Sequence, residues 1–331
     1  MSGNTRAASE VTPRPVKWLW PDRIPRGKVT LLDGDPGLGK TTVLLDVSAR
    51  VSTGRPMPGV PNGCDTEPRG VLYLSAEDDD GDTLRPRLEA AEADLGRVYL
   101  WNATSLPTLP SGAGELEALA SELNLALIVL DPGVAFIDGD LNTNNDAQVR
   151  QALAPLRGIC EDTGCATVLL RHLNKDSKGS NPLYRGGGSI AFIGAARSGL
   201  LAARSPDDPD EMVLAHIKAN VGPRAGSLAY QLKPVEVNGA GSQVRVEWLG
   251  ASDYAAADLL QSQRQNRSPA RSECSEWLRE RINDSAVAFK VLATEAERKG
   301  WNERMLRRAG DDVGVKIERM NTRGAGTLWS L

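Results

Sequence analysis

Apolar and polar positions fall along this chain in two alternating kinds of block. Short apolar runs closed by a polar or acidic residue predict buried strands at residues 29–32, 71–75, 98–101, 125–131 and 166–170. Between them, apolar residues three and four apart predict helices over 42–51, 84–93, 115–123 and 147–160. Strands that alternate with helices imply an α/β fold with a mostly parallel sheet. After residue 197 the pattern changes. Strands are expected at 200–203, 212–218, 228–232 and 244–248, and the last three, paired around turns such as Val221-Gly222-Pro223, predict an antiparallel extension of the sheet.

The ends of the chain follow other rules. Residues 1–15 are polar and aperiodic, the pattern of a flexible leader, and the main domain is expected over 16–250. Residues 251–271 turn towards Ala, Gln, Ser and Arg and are read as a linker. Over 272–331 a helix at 272–282 presents Trp277, Leu278 and Ile282. Small Ala296, turn residue Gly300, capping Asn302 and apolar Leu306 then stand at helix-turn-helix spacing. Two strands at 315–320 and 327–331 complete a small C-terminal winged helix-turn-helix. Its second helix carries Arg304, Arg307 and Arg308, a basic face that is either merely solvated or contacts DNA. Charge supports two modules. The chain of 331 residues is net −4, yet residues 264–331 hold fourteen Lys/Arg against ten Asp/Glu, so a basic tail follows an acidic body.

Candidate chemistry centres on Gly34-Asp35-Pro36-Gly37-Leu38-Gly39-Lys40-Thr41-Thr42, which satisfies G-x-x-x-x-G-K-[ST] between a strand and a helix. Backbone N–H groups and the helix dipole converge there, a cradle for the phosphates of ATP or a close relative. Lys40 is placed to reach the β- and γ-phosphates and the Thr41 hydroxyl to hold Mg²⁺. The run at 125–131 ends in Asp131, a strand-end acid suited to the same Mg²⁺, although Asp131-Pro132-Gly133 is also turn chemistry. Strand 71–75 runs into Glu77 and three aspartates. Glu77 is the candidate base, while residues 78–80 suit an acidic helix start. His172 follows strand 166–170 at the same edge, either as a γ-phosphate sensor or as a structural residue. Residues 175–188 carry Lys175, Lys178, Arg185 and three consecutive glycines, either a solvated linker or a loop that contacts DNA. A helix is expected over 189–197, bearing Arg197. Trp18 and Trp20 either pack on the sheet edge or stack on a ligand. Cys64, Cys160, Cys165 and Cys274 match no zinc spacing and are read as free thiols. No apolar run is long enough to span a bilayer and no signal-peptide core opens the chain, so the expected location is the cytoplasm, with no membrane partner.

Taken together, residues 18–248 resemble the RecA-like ATPases of the plasmid RepA and phage type, relatives of hexameric replicative helicases. The motifs that carry the resemblance are residues 34–42, Ser75-Ala76-Glu77-Asp78, Leu130-Asp131-Pro132, His172-Leu173-Asn174-Lys175 and Ala195-Ala196-Arg197-Ser198. The resemblance implies a RecA-like P-loop core, with Glu77 orienting water, Asp131 at Mg²⁺ and His172 as sensor. It also implies a ring of subunits acting on DNA, single-stranded or duplex. Where the helicases carry K-x-R-N-G-P, this chain reads Lys218-Ala219-Asn220-Val221-Gly222-Pro223, so the arginine that reaches a neighbour's γ-phosphate is replaced by Asn220. Arg197, or failing that Arg204, is left to supply that charge. The expectation is an ATP-hydrolysing DNA motor of helicase or translocase type. Its alternatives are a recombination or repair ATPase that binds single strands without unwinding, and an ATP-switched DNA-binding regulator or loader.

Overall fold

The computed structural model describes residues 5, 7–60, 67–101, 105–173, 191–259, 269–283, 285–319 and 327–330. The chain divides into two compact units, Met1–Leu259 and Leu260–Leu331.

In the first unit, β1 (Trp18–Trp20) and β2 (Ile24–Pro25) form a small hairpin. The succession is then β3 (Val29–Gly34), α1 (Lys40–Thr53), β4 (Gly70–Ser75), α2 (Arg85–Ala90) and β5 (Val98–Leu100). It continues with α3 (Ala113–Glu122), β6 (Leu125–Asp131), α4 (Asp146–Thr163) and β7 (Ala166–His172). Last come α5 (Ala191–Ala195), β8 (Ser198–Arg204), β9 (Glu211–Ala219), β10 (Ser227–Val237) and β11 (Gly241–Ser252). Nine strands form one sheet in the order β11-β10-β9-β8-β3-β7-β6-β4-β5. From β8 to β5 every pairing is parallel, and β9, β10 and β11 extend the sheet antiparallel.

Side chains alternate between the two faces of a strand, so each parallel strand feeds two cores. Leu32, Tyr73, Val129 and Leu170 lie on the face covered by α1 and α2. Leu31, Leu74, Leu130 and Leu169 lie on the other, with Leu116 of α3 and Leu153 and Leu156 of α4. Burial on both faces explains why these strands read as continuous apolar runs. Asn145 opens α4 by accepting from the N–H groups of Ala147 and Gln148, and Gly164 closes it at φ +70°.

Trp20 is fully buried, donates its Nε1–H to the Pro58 carbonyl at 3.0 Å and meets Trp248 edge-on at 5.6 Å. Its role is packing. The helix expected over 189–197 is shorter. Ala191–Ala195 is helical, and Arg197 lies past its end, immediately before β8, its N–H donating to the Val29 carbonyl at 2.8 Å. Residues 189 and 190 lie outside the described residues. The helix expected over 84–93 also ends early, at Ala90, and is preceded by a wider π-helical turn over Asp80–Leu84 that Asp79 caps.

The second unit holds helices Pro269–Ile282, Phe289–Arg298 and Glu303–Val313. Beside them Val287–Ala288, Thr327–Ser330 and Lys316–Arg319 form an antiparallel sheet with Thr327–Ser330 in the middle. Leu278, Ile282, Leu292, Leu306 and Trp329 share its core. Gly300 turns at φ +82°, and the Asn302 side chain accepts from the Met305 N–H at 2.9 Å, opening the third helix. Gly310 allows Trp329 to pack against that helix, since a Cβ there would stand 2.7 Å from the indole. Among the described residues, no helix is long and apolar enough to cross a membrane.

Candidate nucleotide site

The site is built at the carboxyl ends of β3, β4, β6 and β7, where parallel sheets gather loops of different origin. β3 ends in Gly34, and a Cβ at this position would come within 2.7 Å of the Ala202 carbonyl and 3.0 Å of Lys40 Cδ. Gly37 and Gly39 turn the chain at φ +77° and +70°, a region costly to residues with a Cβ. Lys40 and Thr41 then begin α1. Lys40 is buried and donates to the Asp35 carbonyl at 2.8 Å. Burial pushes its ammonium pKa down, against Asp131, Asp35, Asp33 and Glu77, which favour the charge. Pro36 is exposed, whereas Leu38 and Thr42 are buried.

Asp131, last residue of β6, sits beside this loop. The Thr41 hydroxyl donates to Asp131 Oδ2 at 2.8 Å, the pairing expected of a shared cation site. Burial raises the pKa of the Asp131 carboxyl, while hydrogen bonds from Thr41 and Tyr73 oppose the rise. Glu77 lies two residues past the end of β4 and is exposed. The Ser75 hydroxyl accepts from the N–H groups of Glu77 at 3.3 Å and Asp78 at 2.9 Å, which fixes the turn that carries Glu77. His172, last residue of β7, brings Nε2 within 3.8 Å of Glu77 Oε2. The structure therefore gathers Lys40, Thr41, Asp131, Glu77 and His172. The other acids at this edge have local work: Asp78 pairs with Arg87 at 3.5 Å, and Asp79 accepts from the N–H groups of Gly81 and Asp82.

Arg197 is placed elsewhere. It precedes β8 at the level of Val29, so it lies at the amino end of the parallel sheet, about 16 Å along β3 from the phosphate loop of its own chain. Lys218 and Asn220 share that end: Lys218 donates to the Ile193 carbonyl, and the Asn220 N–H donates to the Arg197 carbonyl. Arg204 lies at the phosphate-loop end of β8, with a guanidinium N–H donating to the Pro209 carbonyl. Lys175, Lys178 and Arg185 lie outside the described residues. Arg304, Arg307 and Arg308 fall on helix Glu303–Val313. The exposed Arg307 stacks over Phe289 at 4.1 Å and lies 3.8 Å from Glu303.

Three supports of the site escaped the reading of the sequence. Arg171 forms a buried two-pronged pair with Asp33, at 2.9 and 2.8 Å, directly behind the phosphate loop. Tyr230 of β10 donates to the Leu38 carbonyl at 2.7 Å, and Leu232 packs where a Gly39 side chain would stand. Tyr73 of β4 donates to Asp131 Oδ2 at 2.8 Å. A polar residue of the right parity inside an apolar strand was the available signal for Tyr73 and Asp33. Its partner was not readable, because that depends on strand order.

Residues 4–178, just over half of the chain, match a family described as AAA domain. The DNA repair protein RadA of Chlamydia pneumoniae is 27% identical over 158 residues, 47% of this chain and 30% of that protein. RadA of Bacillus subtilis (strain 168) is 28% identical over 159 residues, with the same coverage of 47% and 30%. The match therefore takes in about 30% of the length of these relatives. A crystal structure of the RadB recombinase superposes with a TM-score of 0.47 at 16% identity, covering 63% of this chain and 89% of that one.

Proposed function

This chain belongs to the AAA domain family, and from that premise we propose that it is a Mg²⁺-dependent ATPase whose turnover is coupled to DNA. The observation that carries the ATPase reading is the gathering of Lys40, Thr41, Asp131 and Glu77 at one sheet edge from three segments. The donor set suits Mg²⁺. Thr41 and Asp131 offer oxygens, and Mg²⁺ binds through one or two protein groups together with substrate phosphates and water. Among the described residues no group of three His, Cys, Asp or Glu forms a protein-only metal cage. When bound, the ion would neutralise charge on the β- and γ-phosphates. Lys40 holds a phosphate oxygen in place of the Asp35 carbonyl it now meets, and Glu77 accepts the proton of the attacking water. His172 stands beside Glu77, placed to hold that carboxylate or a phosphate oxygen.

The DNA reading is supported by the RadA relatives, which are named as DNA repair proteins, and by the basic tail. It favours an ATPase that binds single strands in repair or recombination. Lys175, Lys178 and Arg185 are assigned to the single strand, and Arg304, Arg307 and Arg308 to duplex. A ring-forming helicase or translocase is the second reading, favoured by the order of motifs around Glu77, Asp131 and His172. There Arg197 would act on a neighbouring copy.

The test is steady-state ATPase activity with and without single-stranded DNA, with Glu77→Gln alongside. Stimulation by DNA, and a loss of at least about a hundredfold in Glu77→Gln with ATP still bound, is the expected result. Turnover indifferent to DNA would leave an ATP-switched regulator as the better account. Displacement of a strand from a forked duplex separates helicase from repair ATPase.

A further inference from the structure

Tyr73 lies inside β4, fully buried, where an apolar residue would satisfy the core. Its phenol is instead spent on one partner, Asp131 Oδ2, at 2.8 Å. Parity makes this contact possible. Tyr73 pairs in register with Val129 and Ser75 with Asp131, so Tyr73 and Asp131 are diagonal neighbours on the same face, the face that α1 covers with Thr41. Thr41 donates to that same oxygen at 2.8 Å. Two hydroxyl protons therefore fall on Oδ2, and the carboxylate is held by one oxygen from two elements. A phenol and a threonine hydroxyl each have a single proton to give. Oδ2 is thus engaged on two sides, and Oδ1 is the oxygen left for a cation or its water.

We propose that Tyr73 is a positioning residue of the Mg²⁺ site, holding Asp131 Oδ2 together with Thr41 so that Oδ1 is presented to the ion. The proposal rests on the ATPase reading above. It assigns Tyr73 no contact with nucleotide or ion. An isolated donor from Thr41 leaves the carboxylate free to rotate about its side-chain torsion, whereas a second donor from a buried strand paired on both sides removes that freedom. Partners that orient a metal ligand are worth about 10- to 100-fold in metal affinity.

The test uses the full chain and Tyr73→Phe, which removes one oxygen and keeps the ring. Mn²⁺ serves as the probe ion, titrated by electron paramagnetic resonance in the presence of a non-hydrolysable ATP analogue. Nucleotide affinity in EDTA and the thermal midpoint are measured in parallel. Loss of about 10-fold or more in Mn²⁺ affinity is expected, with metal-free nucleotide affinity within about twofold of wild type. The Mg²⁺ concentration giving half-maximal turnover should rise in step, while the rate at saturating Mg²⁺ recovers most of its value. Unchanged Mn²⁺ affinity in a folded variant overturns the proposal and leaves Tyr73 as a core residue. Equal losses with and without metal overturn it as well, because they report a damaged pocket rather than a misaimed carboxylate. If Tyr73→Phe does not fold, the same titration is made on Tyr73→Met, which also removes the donor to Asp131 and keeps an apolar side chain in β4. Loss of about 10-fold or more in Mn²⁺ affinity with metal-free nucleotide binding kept supports a carboxylate anchored from β4, and unchanged Mn²⁺ affinity refutes it. A wild-type chain that binds neither nucleotide nor Mn²⁺ would instead overturn the ATPase reading on which the proposal stands.

Discussion

Replacing Arg171 by leucine isolates one charge at the centre of the sheet. Asp33 is fully buried and the Arg171 side chain nearly so, at 0% and 4% exposure, and their two contacts of 2.9 and 2.8 Å tie the end of β3 to the end of β7. Removing one partner of such a pair costs about 3–5 kcal/mol, because the other charge stays in the interior uncompensated. With a urea slope of about 2 kcal/mol/M, the midpoint of the first unit should fall by about 1.5–2.5 M at pH 8. The pH dependence has a definite sign. Burial already raises the Asp33 carboxyl, and Arg171 and Lys40 work against that rise. Without Arg171 the folded-state pKa climbs further above the unfolded value. The folded variant then binds a proton in a range where the unfolded chain does not, so its stability increases as pH falls through that range. The gap between wild type and Arg171→Leu should therefore narrow from pH 8 to pH 5. Asp33→Leu/Arg171→Leu should recover most of the loss, since an apolar pair of similar volume replaces an ion pair at little cost. Urea unfolding of the full chain, with the first unit followed by hydrogen exchange in β3 and β7 peptides, provides the measurement. A single-variant loss below about 1 kcal/mol at pH 8, or a gap that does not change with pH, would show that Arg171 is not what compensates Asp33.

Other consequences can be checked as directly. Lys40→Ala should abolish nucleotide binding, read by equilibrium titration with a fluorescent ATP analogue, while leaving the thermal midpoint near wild type. Gly39→Ala combines a left-handed backbone with a Cβ 2.7 Å from Leu232, so it should weaken nucleotide affinity by about tenfold or more, and Leu232→Ala should restore part of the loss. His216 accepts the Ala225 N–H on Nδ1 and faces the Ser198 hydroxyl with Nε2, which holds the ring neutral, and burial lowers its pKa beside Arg23 and Arg224. A depressed histidine leaves the unfolded chain binding the extra proton, so stability should fall as pH drops below about 6.5. In His216→Gln the thermal midpoint should lose less between pH 7.5 and pH 5 than in wild type.

Whatever depended on neighbours in the chain was legible without coordinates. The phosphate loop is such a case: glycines with positive φ between a strand and a helix are a local requirement, and residues 34–42 meet it in their own order. The parallel strands were readable because burial on two faces leaves uninterrupted apolar runs, and Asp131 because it closes one of them. The turn at Gly300 and the cap at Asn302 belong to the same class. What only the tertiary structure decided is which strand ends stand side by side. β7 is inserted between β3 and β6, an order set by how crossover helices pack and not by any residue's propensity. That order puts Arg171 against Asp33 across 138 positions of sequence and Tyr73 against Asp131 across 58. It also returns β10 to the phosphate loop through Tyr230, 192 residues after Leu38. Arg197 shows the same division from the other side. Its neighbours suggested a helix reaching as far as Arg197, but only its level beside β3 decided that Arg197 lies at the amino end of the strands.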